Sequence, residues 1–380
     1  MKRSIQNVSA ALASVVAFFV STTVGTEIPP PTGRYHIGRR KYDIPFLNTE
    51  DLFAPGNVST SFIATVWYPT LQEPCEPATP YLDPAVAALW EPAADQTAGT
   101  LSNLTSHVQP GAPPAPAPRD GQAGLFPTLL FGPGGTGPPT EAYTILISEL
   151  VSRGYVVAGL DHPYEQPFVR YPNGTGVYGP PVNYTLSSEE ANLLYEMRIK
   201  DNVHFVGVWP DLVAELDAPW ATAKLGAFGH SIGGAAAAGT ARLIARETLA
   251  STLNMDGTFL DATNDSATAD IHRPTMLLGQ DGHDADDGDL SWEIFPAAQT
   301  GWWRTMFVNG TAHLDFSDWT FWKTLGGKPL GTIDGARMVD VTREFVTAFF
   351  NYTILGQEEG VLTSPGPVWP EVSVYDGSDE

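Results

Sequence analysis

Short apolar runs alternate with segments of helical period through most of the chain. Phe126–Phe131, Tyr155–Leu160, Ala223–Phe228, Thr252–Met255, Thr275–Gly279 and Trp303–Val308 are brief, continuous and bounded by turn-formers. That is the pattern of strands buried on both faces. Between them, Thr140–Arg153 sets Tyr143, Leu146, Ile147, Leu150 and Val151 on one helical face, with Thr140 and Gly154 as caps. Ser187–Leu216 reads as helix, with Pro210 expected to interrupt or restart it. Gly233–Glu247 is an alanine-rich helix, and Met338–Tyr352 a closing amphipathic one. Arg34–Ile44 and Ser61–Tyr68 read as an antiparallel pair that opens the sheet. The alternation predicts an α/β fold: a mostly parallel central sheet, an antiparallel N-terminal strand pair, and helices on both faces. One domain should span 26–356. It carries a proline-rich loop, 72–119, expected to be extended and partly mobile, and an aromatic insertion, 164–184. Residues 357–380 are polar and proline-containing and read as a tail.

Charge and address narrow the class. Acidic residues outnumber basic ones 43 to 20, a formal charge of −23. This disfavours nucleic acid and anionic membrane surfaces as partners. Lys2 and Arg3 precede an apolar stretch, Ala10–Val20, that is short for a membrane span, and small residues follow at Thr23-Val24-Gly25. Residues 1–25 are therefore expected to be a signal peptide, and stable membrane insertion is not expected. Seven Asn-x-Ser/Thr sequons follow, at Asn57, Asn103, Asn173, Asn183, Asn264, Asn309 and Asn351. Together these imply a secreted, N-glycosylated protein. The single cysteine, Cys75, excludes an internal disulfide and reads as a lone or packed thiol. Oligomeric state is not legible.

Candidate chemistry centres on Gly229-His230-Ser231-Ile232-Gly233, between a strand and a helix. Strand, sharp Gly-x-Ser-x-Gly turn and helix are the setting of a nucleophile elbow, which points to Ser231 as the nucleophile. The Ile232 amide opens the helix and suits a developing oxyanion. The glycine-rich loop 132–137 should add a second donor, with Gly135 N–H the first choice. In this architecture the histidine comes last. Of those after Ser231, His272 enters a strand, His283 lies in an acidic loop, and His313 follows a strand's carboxyl end, so His313 is the base. For the acid, Asp256 and Asp281 each end a strand, and position alone does not separate them. The acidic run 281–289 lacks calcium-loop spacing, so no metal or cofactor is expected. Aromatics at 164–184, with Trp302, Trp303, Phe316 and Trp319, are expected to crowd the acyl side. No long amphipathic lid is seen.

Several stretches taken together resemble the plasma and type II platelet-activating factor acetylhydrolases, within the α/β-hydrolases. They are Phe62–Pro69, the loop after Phe131, Gly154–Ala158 with Asp161-His162, the elbow, Asn254-Met255-Asp256-Gly257, and His313–Asp318. The resemblance runs from about Gly33 to Tyr352. It implies an α/β-hydrolase fold, Asp256 as the acid, and a calcium-independent esterase removing short or oxidised acyl groups from phospholipids. Pro133 stands where that family usually carries a histidine. A cutinase or polyesterase would use Asp281 instead. A non-catalytic binding protein on the same fold is the rival from another class.

Overall fold

The computed structural model describes residues 26–74, 78–118, 124–283 and 288–378. The expected signal peptide and Cys75 lie outside them. The central sheet is built from His36–Asn48 (β1), Ser59–Thr70 (β2), Val108–Pro110 (β3), Thr128–Gly132 (β4), Val156–Asp161 (β5), Leu225–His230 (β6), Leu249–Met255 (β7), Thr275–Gln280 (β8), Trp303–Val308 (β9) and Val372–Gly377 (β10). Their order across the sheet is β10-β9-β8-β7-β6-β4-β5-β2-β1-β3. The six strands from β9 to β5 are parallel to one another. β1 and β2 pair antiparallel, as does β2 with β5.

Alternation along each strand loads both faces. Leu129 and Phe131 enter one apolar cluster and Leu130 the other, as Met276 and Leu278 are split from Leu277. Thr144–Ser152 (α2) and Gly335–Thr353 (α6) cover the first face through Leu146, Leu150, Phe345 and Phe349. Ser188–Leu216 (α3), Ile232–Ala241 (α4) and Ser291–Ala297 (α5) cover the second through Trp209, Ala238 and Phe295.

Three expectations need correction. Helix α3 runs unbroken through Pro210. The ring sits on the exposed face, and Phe205, Val206, Trp209 and Val213 are buried on both sides of it, so packing holds the helix across the lost hydrogen bond. The stretch 72–119 is not merely an extended loop. Pro84–Ala93 (α1) forms behind an Asp83 cap to Ala85 N–H, and Tyr81, Leu82, Val86 and Trp90 build a third apolar cluster with Trp319 and Trp322. The stretch 357–380 is not only a tail, because β10 pairs antiparallel with β9 and closes that edge.

Candidate active site

Successive carboxyl ends of the parallel strands deliver the site. Ser231 follows β6 directly, with φ 57° and ψ −131°, a backbone conformation that side chains rarely adopt. Such a residue costs about 1–3 kcal/mol and persists only where its surroundings hold it. Here Ser231 N–H donates to Met255 O at 2.8 Å, and a Cβ on Gly229 or Gly233 would overlap Gly132. The crossing of loop and elbow therefore needs glycine at both places. Among the described residues, Ser231 Oγ and the Ile232 amide have no hydrogen-bond partner.

Asp256 ends β7, 1% exposed, with φ 58°. Its Oδ2 lies 2.6 Å from His313 Nδ1. The other runner for the acid, Asp281, is exposed and makes no such contact. Oδ1 of Asp256 accepts Gln280 N–H at 2.8 Å and faces His283 Nδ1 at 2.7 Å. Burial pulls the Asp256 carboxyl up, but the hydrogen bonds and charges of His283 and His313 outweigh it and hold it well below the usual range. The His313 side chain is 44% exposed, so its ring meets solvent beside the elbow. Buried Asp315 shapes its loop by accepting from Ala312 N–H, Gly331 N–H and Lys323.

His230 links three parts of the site. Its Nε2 faces His313 O at 2.8 Å, and a carbonyl only accepts, so Nε2 carries the proton. Nδ1 then accepts from the Tyr143 hydroxyl at 2.9 Å, and that oxygen accepts Gly134 N–H at 3.1 Å. Burial, with the nearby His313 ring, pushes His230 down to about 3, so it is neutral at working pH.

The glycine-rich loop is clamped from α3. Buried Arg198 donates to Pro133 O at 3.0 Å and to Gly134 O at 3.3 Å, and forks onto buried Glu165 at 2.6 and 2.7 Å. Glu165 in turn accepts Thr136 N–H at 3.0 Å. A trans peptide is planar, so holding Gly134 O on one side aims Gly135 N–H to the other. Gly134 and Thr136 amides are spoken for. The Gly135 amide has no partner among the described residues. On its Cα side Gly135 meets apolar groups, since an added Cβ would touch Ile232, Leu194 and Leu186.

Of the aromatics expected to crowd the acyl side, Trp302, Trp303 and Trp319 do not. Trp302 packs on Phe349 and Tyr352, and Trp303 opens β9 at its amino end, roughly 20 Å along the strand from the site. Trp319 packs against Trp90, and Phe316 stacks behind His230. Sequence reasoning missed Arg198, Glu165, Tyr143 and His283. One signal was available for Arg198: polar Arg198, Asp201 and Asn202 interrupt a buried helical stripe running from Leu194 to Trp209.

No protein-family model matches the chain. Over 269 residues it is 26% identical to a probable 1-alkyl-2-acetylglycerophosphocholine esterase of Arthroderma benhamiae, a match covering 66% of this chain and 66% of that protein's length. A solved structure, a ferulic acid esterase from Streptomyces cinnamoneus, is 27% identical, with a TM-score of 0.77, over 93% of this chain and all of that one. The fold is that of the α/β-hydrolases. Within this α/β-hydrolase fold the chain is thus similar to esterases by sequence and by structure, in keeping with the resemblance to the acetylhydrolases. Among the described residues, no helix is long and apolar enough to cross a membrane, and no group of His, Cys, Asp and Glu could hold a metal.

Proposed function

We propose that the protein is a secreted serine esterase that hydrolyses short or oxidised acyl esters of phospholipids, as a 1-alkyl-2-acetylglycerophosphocholine esterase does. The observation that carries this is the 2.6 Å contact of His313 Nδ1 with buried Asp256, with Ser231 held in an elbow and the Gly135 and Ile232 amides both unclaimed among the described residues. In this reading Asp256 holds the His313 tautomer, leaving Nε2 to take the Ser231 proton as Oγ attacks the ester carbonyl. Gly135 and Ile232 N–H receive the oxyanion. The tetrahedral adduct collapses, the C–O bond breaks, and the alcohol leaves with the proton from His313. Water, deprotonated by the same imidazole, then frees the acid. No metal or cofactor enters these steps.

Secretion is part of the proposal. Six of the sequon asparagines are exposed, consistent with carrying glycans, whereas Asn351 is half-buried in α6 and accepts a hydrogen bond from Tyr155. A second reading, hydrolysis of ferulic acid esters, is favoured by the likeness to a ferulic acid esterase over 93% of the chain.

The test is labelling by a fluorophosphonate, followed by kcat/KM across p-nitrophenyl esters from acetate to palmitate, phospholipid esters and methyl ferulate. Labelling lost in Ser231→Ala, with a maximum at acetate to hexanoate and turnover of the 2-acetyl phospholipid, is expected. A maximum on methyl ferulate transfers the assignment to the second reading. An unlabelled wild type means a binding protein.

A further inference from the structure

We propose that His283 is a positioning residue of the site: a second imidazole that grips the far oxygen of Asp256 and, as a cation, keeps the carboxylate ionised and the His313 base available in acid. The proposal rests on the serine-esterase reading. Asp256 is held between two histidines. His313 takes Oδ2 at 2.6 Å and His283 takes Oδ1 at 2.7 Å. The other nitrogen of His283 faces Asp289 Oδ2 at 2.9 Å. A neutral imidazole has one N–H, whereas two carboxylates that only accept require two. The contacts alone therefore specify an imidazolium. Burial works against the charge, but the two carboxylates outweigh it and lift His283 to about 9.

The bridge is anchored at both ends. The ring stacks on Trp292 of α5, centroids 4.3 Å apart at 24°. Asp289 is itself fixed by Ser291 N–H at 3.0 Å and by the Thr258 hydroxyl at 2.7 Å. Among the described residues, the ionised groups facing the ring are Asp256 from the end of β7 and Asp289 ahead of α5, while Gln280 from β8 and Trp292 are uncharged.

The charge has a direction of effect. Without the cation, Asp256 and Asp289 form an uncompensated anionic pair behind His313. That pair favours a protonated His313, which is not a base, so activity in acid falls. With the cation present, Asp256 still orients His313 but its excess field is offset. The two carboxylate oxygens are also both occupied, so the group cannot rotate away.

The experiment is the pH dependence of kcat/KM for p-nitrophenyl acetate, and of fluorophosphonate labelling, in wild type, His283→Asn and His283→Phe. The asparagine keeps a donor without the charge, and the phenylalanine keeps the stack on Trp292 without a donor. The acid limb is expected to move up by about one pH unit in both. The plateau is expected to fall by about tenfold or more in the phenylalanine variant alone, as Asp256 loses its brace. Ring nitrogen shifts in Ser231→Ala protein give a readout free of activity: both His283 nitrogens should stay protonated until about pH 9. Unshifted acid limbs overturn the proposal, whether the plateau falls, as for a merely structural residue, or stays. A neutral His283 ring at pH 7 overturns it as well. In each of those cases a wild type that is labelled leaves the esterase reading standing. A wild type that neither labels nor turns over ester removes both.

Discussion

At the scale of single residues, the two strand-end aspartates give the sharpest contrast. Asp256→Asn should leave His313 free to take the wrong tautomer and cost roughly 10⁴-fold in kcat, as in other triads. Asp281→Asn, on an exposed turn with no contact to the imidazole, should change kcat by less than about threefold. Steady-state kinetics on both variants checks this, and the reverse ranking would mean that the loop after β8 rearranges to supply the acid. The placement of Ser231 and His313, as candidate nucleophile and base, was legible because each follows a strand at its carboxyl end. The choice between Asp256 and Asp281 needed the resemblance, since both satisfy the same positional rule. His283 was passed over because its role lies in a contact across two neighbouring parallel strands, and its own surroundings in sequence look like a solvated acidic loop.

At the scale of elements, the glycine loop and α3 behave as one part. Arg198 and Glu165 satisfy each other and three backbone groups of the loop, so the orientation of Gly135 N–H is set by a side chain sixty-odd residues away. Lysine is a point donor and cannot reproduce that fork. Arg198→Lys should therefore lower kcat by about 10- to 100-fold with little change in KM, because an oxyanion donor acts in the transition state. Kinetics with thermal unfolding separates that outcome from simple destabilisation, which would leave kcat per folded molecule intact. The helices were foreseen from their apolar period, and their ends agree within a few residues except in α4, which stops at Ala241. What the pattern hid was α1 and β10. Both lie in proline-containing stretches, α1 short with Pro92 inside it and β10 in a largely polar segment, and α1 gains order by docking on surface made elsewhere, as Trp90 does on Trp319.

At the scale of the whole molecule, a buried carboxyl ties the pieces together and sets a pH response. Asp318 accepts from Tyr81 of the proline-rich stretch at 2.7 Å and from Ile145 N–H at the start of α2. Burial, opposed by these hydrogen bonds, raises it from 3.8 to about 7. Between those values the folded chain holds a proton that the unfolded chain has lost, so this group's contribution is complete below about pH 4 and is lost as pH rises through 7. Asn cannot ionise, so the Tm of Asp318→Asn relative to wild type should climb between pH 4 and pH 8. A constant difference would show that Asp318 ionises freely in the fold. The same molecule also sets stability against use at its elbow. Ser231→Ala keeps the Cβ in a conformation suited to glycine, whereas Ser231→Gly relieves it, so the glycine variant should melt higher than the alanine one by the equivalent of about 1 kcal/mol or more. Differential scanning calorimetry on the pair decides it. The consequence reaches any attempt to toughen this protein: a library ranked on heat tolerance alone would be drawn toward a molecule without Ser231, because the position proposed for the chemistry is one the backbone would rather leave bare.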